Sequence, residues 1–119
     1  MSWQSEYQNK LVTPDYAVSF INSGDVIGMG GGTGIPYSIA KALGTRAEEL
    51  ENIKILQGFA TGIHDYMLPQ NKDRFHIETI FVGPAERMCM EWGTLDFVPN
   101  HLAGSNSLFV LRTRILETN

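Results

Sequence analysis

Ser23-Gly24-Asp25-Val26-Ile27-Gly28-Met29-Gly30-Gly31-Gly32-Thr33-Gly34-Ile35-Pro36 contains a turn, a short apolar run, a glycine loop and the opening of a helix. Gly24 ends the preceding segment with the left-handed cap that glycine adopts without steric cost. Val26 to Met29 reads as a buried strand. Gly30 to Gly34 then holds four glycines in five residues. Ile35-Pro36 begins a helix in which Ile35, Ile39, Ala42 and Leu43 recur at helical spacing. Strand, loop and helix in that order are the first part of a parallel α/β unit.

The loop has two readings. Without side chains the backbone can approach a ligand, and consecutive N–H groups in one concavity hold a phosphate or a developing oxyanion. Alternatively, the glycines only permit tight packing between strand and helix, although a short turn needs just one or two of them. Two familiar phosphate motifs are excluded by spacing. A dinucleotide fingerprint started at Gly28 meets Thr33 where its last glycine belongs, and no Gly-Lys pair exists for a P-loop.

Working outward, Trp3 to Lys10 is polar, with Trp3 and Tyr7 one helical turn apart. Thr13-Pro14-Asp15 combines an N-cap, a proline at the first helical position and an acid near the positive end of the dipole. The helix from there is expected to place Ala17, Phe20 and Ile21 on one face and to stop at Ser23-Gly24. Ala47 to Glu51 is a helical turn, and Ile53 to Gln57 is a second strand followed by the loop Gly58 to Gly62. Ile77 to Val82 is expected as a third strand closed by Gly83-Pro84. Ala85 to Trp92 is a helix stacking Ala85, Met88, Cys89 and Trp92, and Leu95 to Val98 is a short strand ended by Pro99. The alternation predicts an α/β fold: an open, mainly parallel sheet with flanking helices. Ligands of such sheets sit beyond the carboxyl ends of the strands, where glycine-rich loops follow the first three.

Size and composition narrow the function. The 119 residues, 43% hydrophobic and 18% charged, make one globular unit spanning 1–119, with 109–119 adding no recognisable feature. The chain is expected to stop mid-fold, because Leu108 to Leu111 and Ile115-Leu116 lead to no closing element. Net charge is −4 and Lys and Arg are not clustered, which argues against a nucleic-acid partner. One cysteine, Cys89, allows no internal disulfide. With no signal-like leader and no long apolar run, no membrane association is expected, and the chain reads as soluble and cytoplasmic. No Cys/His cluster has metal-ligand spacing, so no metal site is expected.

The quoted stretch is similar to the first signature of the CoA-transferases: a Gly-Asp step, an apolar strand, paired glycines, Gly-x-Pro and a helix. Gly32 stands where that family usually carries a bulky residue, often Phe. Trp3, Tyr7, Lys10, Ala17-Val18, Ile21 and Ser23-Gly24-Asp25 also resemble the opening of 4-hydroxybutyrate and acetate CoA-transferases. So do Glu49-Leu50, Asn52-Ile53, Phe81-Val82-Gly83-Pro84, Arg87, Glu91, Gly93, Asp96 to Pro99, His101-Leu102 and Leu108-Phe109. The chain thus resembles the N-terminal portion of the acetyl-CoA hydrolase/transferase family, up to Phe109.

That resemblance implies covalent catalysis, in which a glutamate attacks an acyl-CoA, forms a mixed anhydride and then a glutamyl-CoA thioester. A second small carboxylate (acetate, butyrate or 4-hydroxybutyrate) collects the CoA; in the hydrolases water takes the place of that acid and CoA is released as the free thiol. The family's glutamate lies far beyond Asn119, so no catalytic residue is assigned here. Coenzyme A is expected as substrate, with no covalently bound cofactor, and the partner as a second copy or the C-terminal half. A CoA-binding module without catalysis is the alternative, and a hydrolase fragment another. The resemblance and the loops together make Gly30, Gly31, Gly32, Thr33, Gly34, Pro36, Gly62, Gly83 and His101 the candidate substrate contacts.

Other polar residues receive plainer roles. Glu78, Glu86 and Glu91 read as solvated surface carboxylates, and His64-Asp65 as an exposed turn. His76 reads as structural and Cys89 as an inert core thiol. Arg87 could meet a CoA phosphate or pair with Glu91 four residues on.

Overall fold

The computed structural model describes residues 2–104. The expectations for Leu108-Phe109 and for 109–119 lie outside the described residues. Four strands, β1 (Val26–Gly28), β2 (Ile53–Gln57), β3 (Phe75–Thr79) and β4 (Leu95–Phe97), form one sheet in the order β1-β2-β3-β4. Every pairing is parallel, with Ile27, Ile55, Ile77 and Leu95 in one row across the sheet. The open parallel α/β sheet expected from the sequence is therefore present.

Sequential order in a parallel sheet sends each right-handed crossover the same way, so the connections share one face. Burial agrees. Ile53, Ile55, Phe75, Ile77 and Leu95 lie in one core with Ala40, Ala42 and Leu43 of α3 (Tyr37–Thr45) and Ala85 and Cys89 of α4 (Pro84–Glu91). Each fully buried aliphatic side chain of that core stabilises the fold by about 1.5–3 kcal/mol. The crossover from β2 to β3 uses two 3-10 turns, Asp65–Met67 and Pro69–Asn71, which seat Tyr66 and Met67 in the same core.

The opposite face carries charge. Lys54 Nζ lies 3.4 Å from Glu78 Oε1, and His76 Nε2 lies 3.2 Å from Asp96 Oδ2 and 3.7 Å from Glu78. Glu78 is thus a buried, engaged carboxylate rather than the solvated one expected, because neighbouring strands crowd a residue in the middle of a sheet.

At the N-terminus, α1 (Trp3–Lys10) buries none of its residues, and α2 (Pro14–Val18) follows a Thr13 cap whose hydroxyl accepts from Tyr16 N at 3.2 Å. The expected run to Ser23-Gly24 ends instead at Val18. Ser19 N divides its bond between Asp15 O and Tyr16 O, and Arg46 Nη1 donates to the Val18 and Ile21 carbonyls. Arg46, just past α3, thus reaches the last carbonyl of α2 and the Ile21 carbonyl beyond it, and Phe20 is exposed instead of facing the core. Gly24 does take the positive φ expected of it, +90°.

Three strand boundaries move, among them that of β4, which ends at Phe97 rather than Val98. β1 ends at Gly28, although Met29 N extends the ladder to Leu56 O at 2.8 Å. The strand expected at Ile77 to Val82 is Phe75–Thr79. Its ladder ends where the Thr79 hydroxyl comes within bonding reach of the Gly58 and Phe81 carbonyls. Met88, expected on the buried face of α4, is exposed, while Ala85 and Cys89 are buried and Trp92 partly so.

Candidate functional site

Because all four strands run parallel, their C-terminal ends meet at one edge, and the loops after β1, β2 and β3 lie there side by side. Gly32 N donates to Phe59 O at 2.6 Å, joining the first loop to the second. Gly31 and Gly58 stand back to back: a Cβ at Gly31 would come within 3.2 Å of the Gly58 Cα. Gly32 has a φ of +57°, and a Cβ there would meet the Phe59 ring at 2.9 Å. A Cβ at Gly30 would collide with the Gly34 carbonyl oxygen, whereas one at Gly34 meets nothing within 4 Å. Packing excludes a side chain at Gly30, the positive φ disfavours one at Gly32, and Gly31 is tightly packed against Gly58.

The loop nevertheless keeps donors. Gly34 N bonds Gly31 O at 3.0 Å and Ile35 N bonds Gly32 O at 3.4 Å, closing the 3-10 turn Gly32–Gly34. The N–H groups of Gly30, Gly31 and Thr33 bond to no described residue. Gly30, Gly31 and Thr33 are also exposed. Adjacent free N–H groups on an exposed loop are what an anion or a carbonyl oxygen accepts from. Pro36, exposed, precedes α3 and leads to Tyr37, whose hydroxyl bonds the Thr61 hydroxyl in the second loop.

The third loop is organised differently. Glu86, expected at the surface, is fully buried. One carboxylate oxygen accepts from Ala60 N and the other from Gly83 N, at 2.9 Å for Gly83. Glu86 sits two residues beyond the helix-opening Pro84, so its side chain folds back over the first turn of α4, where N–H groups lack intrahelical partners. Gly-Pro-x-Glu at a helix start was the signal for this role. Reading a charged residue as solvated by default missed it.

Between β2 and α3 lies a buried polar row. Tyr66 OH donates to Gln57 Oε1 at 2.9 Å, and the His64 ring stacks on Tyr66 at 5.5 Å and packs against Tyr37. Burial pushes the His64 pKa below its ordinary value, with Asp65 opposing. His64 is thus a core ring rather than part of an exposed turn, because the 3-10 turn Asp65–Met67 draws it inward. Cys89 is buried, and desolvation pushes its thiol pKa up, as an inert core thiol requires. Arg87 and Glu91 are both exposed, and no ion pair joins them among the described residues.

Gly62 lies at the rim of the second loop, with nothing within 4 Å of an added Cβ. His101 is exposed and, with Phe97, Pro99 and Asn100, lines a groove of about 400 Å³ beyond β4. The structure therefore gathers Gly30 to Gly34 with the Gly58 to Gly62 loop. It engages the Gly83 N–H elsewhere and places His101 in a groove of its own.

Residues 1–112 match the acetyl-CoA hydrolase/transferase N-terminal domain. The chain belongs to this family. Among its relatives is the butyryl-CoA:acetate CoA-transferase of Anaerostipes caccae, 34% identical over 83% of this chain and 22% of the relative. Another is the 4-hydroxybutyrate coenzyme A transferase of Clostridium kluyveri, 28% identical over 92% of this chain and 25% of the relative. The crystal structure of RipA from Yersinia pestis superposes with a TM-score of 0.76 at 26% identity, covering 88% of this chain and 27% of RipA. The chain spans about a quarter of the length of the relatives it matches. Among the described residues no helix is long and apolar enough to cross a membrane, and no His/Cys/Asp/Glu group is arranged for a metal ion.

Proposed function

We propose that this chain forms the N-terminal part of an enzyme that moves CoA between an acyl-CoA and a small carboxylic acid. In this reading the Gly30 to Gly34 loop holds the thioester carbonyl or a CoA phosphate through the N–H groups of Gly30, Gly31 and Thr33. The observation that carries it is the set of exposed, unengaged N–H groups at the sheet edge where parallel α/β folds take ligands. Such donors cost no reorganisation when charge develops on the oxygen they face. Pro36 follows that loop at the start of α3, and Gly62 lies at the rim of the second loop. The family resemblance implies a nucleophilic glutamate in a part of the protein beyond this chain; within the chain, Glu86 is committed to two backbone N–H groups and Glu78 to the charged sheet face.

The test is exchange of labelled acetate into butyryl-CoA by the complete protein, beside the 119-residue chain alone. The complete protein is expected to exchange at an ordinary enzymatic rate, on the order of one per second or more, and the chain alone not at all. Turnover by the isolated chain would place the nucleophile within it. CoA release that needs no acid would make the protein a hydrolase instead.

A further inference from the structure

We propose that Glu86 is a positioning residue for the thioester-binding edge, acting through the second loop on the first. This rests on the function proposed above and adds to it a residue that the sequence pattern alone puts at the surface. The path is continuous. Glu86 holds Ala60 N with one oxygen and Gly83 N with the other. Phe59, beside Ala60, accepts from Gly32 N at 2.6 Å, and Gly58 backs directly onto Gly31. The register of the Gly30 to Gly34 donors is therefore set by a carboxylate on α4.

The same arrangement assigns a second consequence. The N-terminus of α4 is filled by the protein's own anion. Gly83 N is unavailable to a CoA phosphate while Glu86 holds it, so anionic substrate is directed to the loop after β1. Both effects require an acceptor at each end of the carboxylate. A glutamine keeps one acceptor and turns an NH2 group toward the other N–H. An aspartate keeps the charge near the helix dipole but is one methylene too short to span both partners.

The test uses the complete protein with Glu86→Gln and Glu86→Asp, each compared with wild type in KM for acyl-CoA, kcat and melting temperature. A bridging role predicts at least a tenfold rise in KM for acyl-CoA in both variants, with KM for the acid acceptor unchanged. A plain helix cap predicts that Glu86→Asp behaves as wild type, or that melting temperature falls while both KM values hold. Either result overturns the proposal. Protection of the Ala60 and Gly83 amides against hydrogen exchange is read in parallel, independently of catalysis. Should wild type fail to exchange acyl groups, the functional reading falls. Faster exchange at both amides in both variants then still supports the bridge, and unchanged protection overturns it.

Discussion

The loops that follow β1 and β3 leave the same sheet edge, are both bounded by glycine and both lead toward a helix, yet their N–H groups are used in opposite ways. After β3, Gly83 donates to Glu86, and the start of α4 is closed by an internal carboxylate. After β1, Gly30, Gly31 and Thr33 donate to no described residue, and the helix begins only after an intervening 3-10 turn and Pro36. Glycine content by itself does not mark a ligand loop. What separates the two is whether the chain supplies its own acceptor, and one glutamate decides that.

The contrast is sharpest inside the first loop. Gly30→Ala forces a Cβ against the Gly34 carbonyl, a backbone neighbour that cannot turn aside. It is expected to cost about 1–3 kcal/mol, as overpacking does. Gly34→Ala meets open space and is expected to stay within about 0.5 kcal/mol of wild type. Urea melts of the two variants check this, and equal stabilities would mean that the loop is not packed as described.

The third loop responds less. A Cβ at Gly83 comes within 3.0 Å of Glu86 Oε2, so Gly83→Ala displaces the end of a side chain rather than backbone. A weakened hydrogen bond of this kind is worth about 0.5–1.5 kcal/mol. A loss as large as that of Gly30→Ala would show that the α4 start is the more rigid of the two regions.

The smallest effect is in pH. Burial lowers the His64 pKa in the folded state, so below the unfolded value of 6.5 the unfolded chain binds a proton that the folded chain refuses. Stability from this residue is fully present above pH 6.5 and declines as pH falls from there toward the lowered folded pKa. His64→Phe keeps a ring against Tyr66 and removes the proton. Its melting temperature should fall less steeply between pH 7 and pH 5 than that of wild type, and parallel slopes would contradict the assignment.

Much of this was legible in the residues. β2 matched its expected span because Ile53, Ile55 and Leu56 form a short apolar strand pattern that Gly58 ends. The Thr13 cap and the Gly24 turn followed from local chemistry that needs no tertiary partner. The misplacements share a cause. The end of α2 at Val18 is met by Arg46, distant in sequence, which donates to the Val18 and Ile21 carbonyls. β3 starts two residues sooner because Phe75 pairs with Ile53, and register across strands is not written in either strand alone. Glu86 and His64 were placed at the surface by residue type, whereas their burial depends on loops contributed by other elements. For the site, the sequence located the glycine loop but left open whether packing or donors explained it. The geometry makes packing tight at Gly30, Gly31 and Gly32, and leaves the N–H groups of Gly30, Gly31 and Thr33 without an acceptor among the described residues.

The most direct measurement is an acetyl-CoA titration of the complete protein carrying 15N in glycine and threonine, followed at the backbone amides. The account predicts saturable shifts at Gly30, Gly31 and Thr33, with Gly83 unmoved because Glu86 retains its N–H. Shifts at Gly83, with the loop after β1 silent, would contradict it.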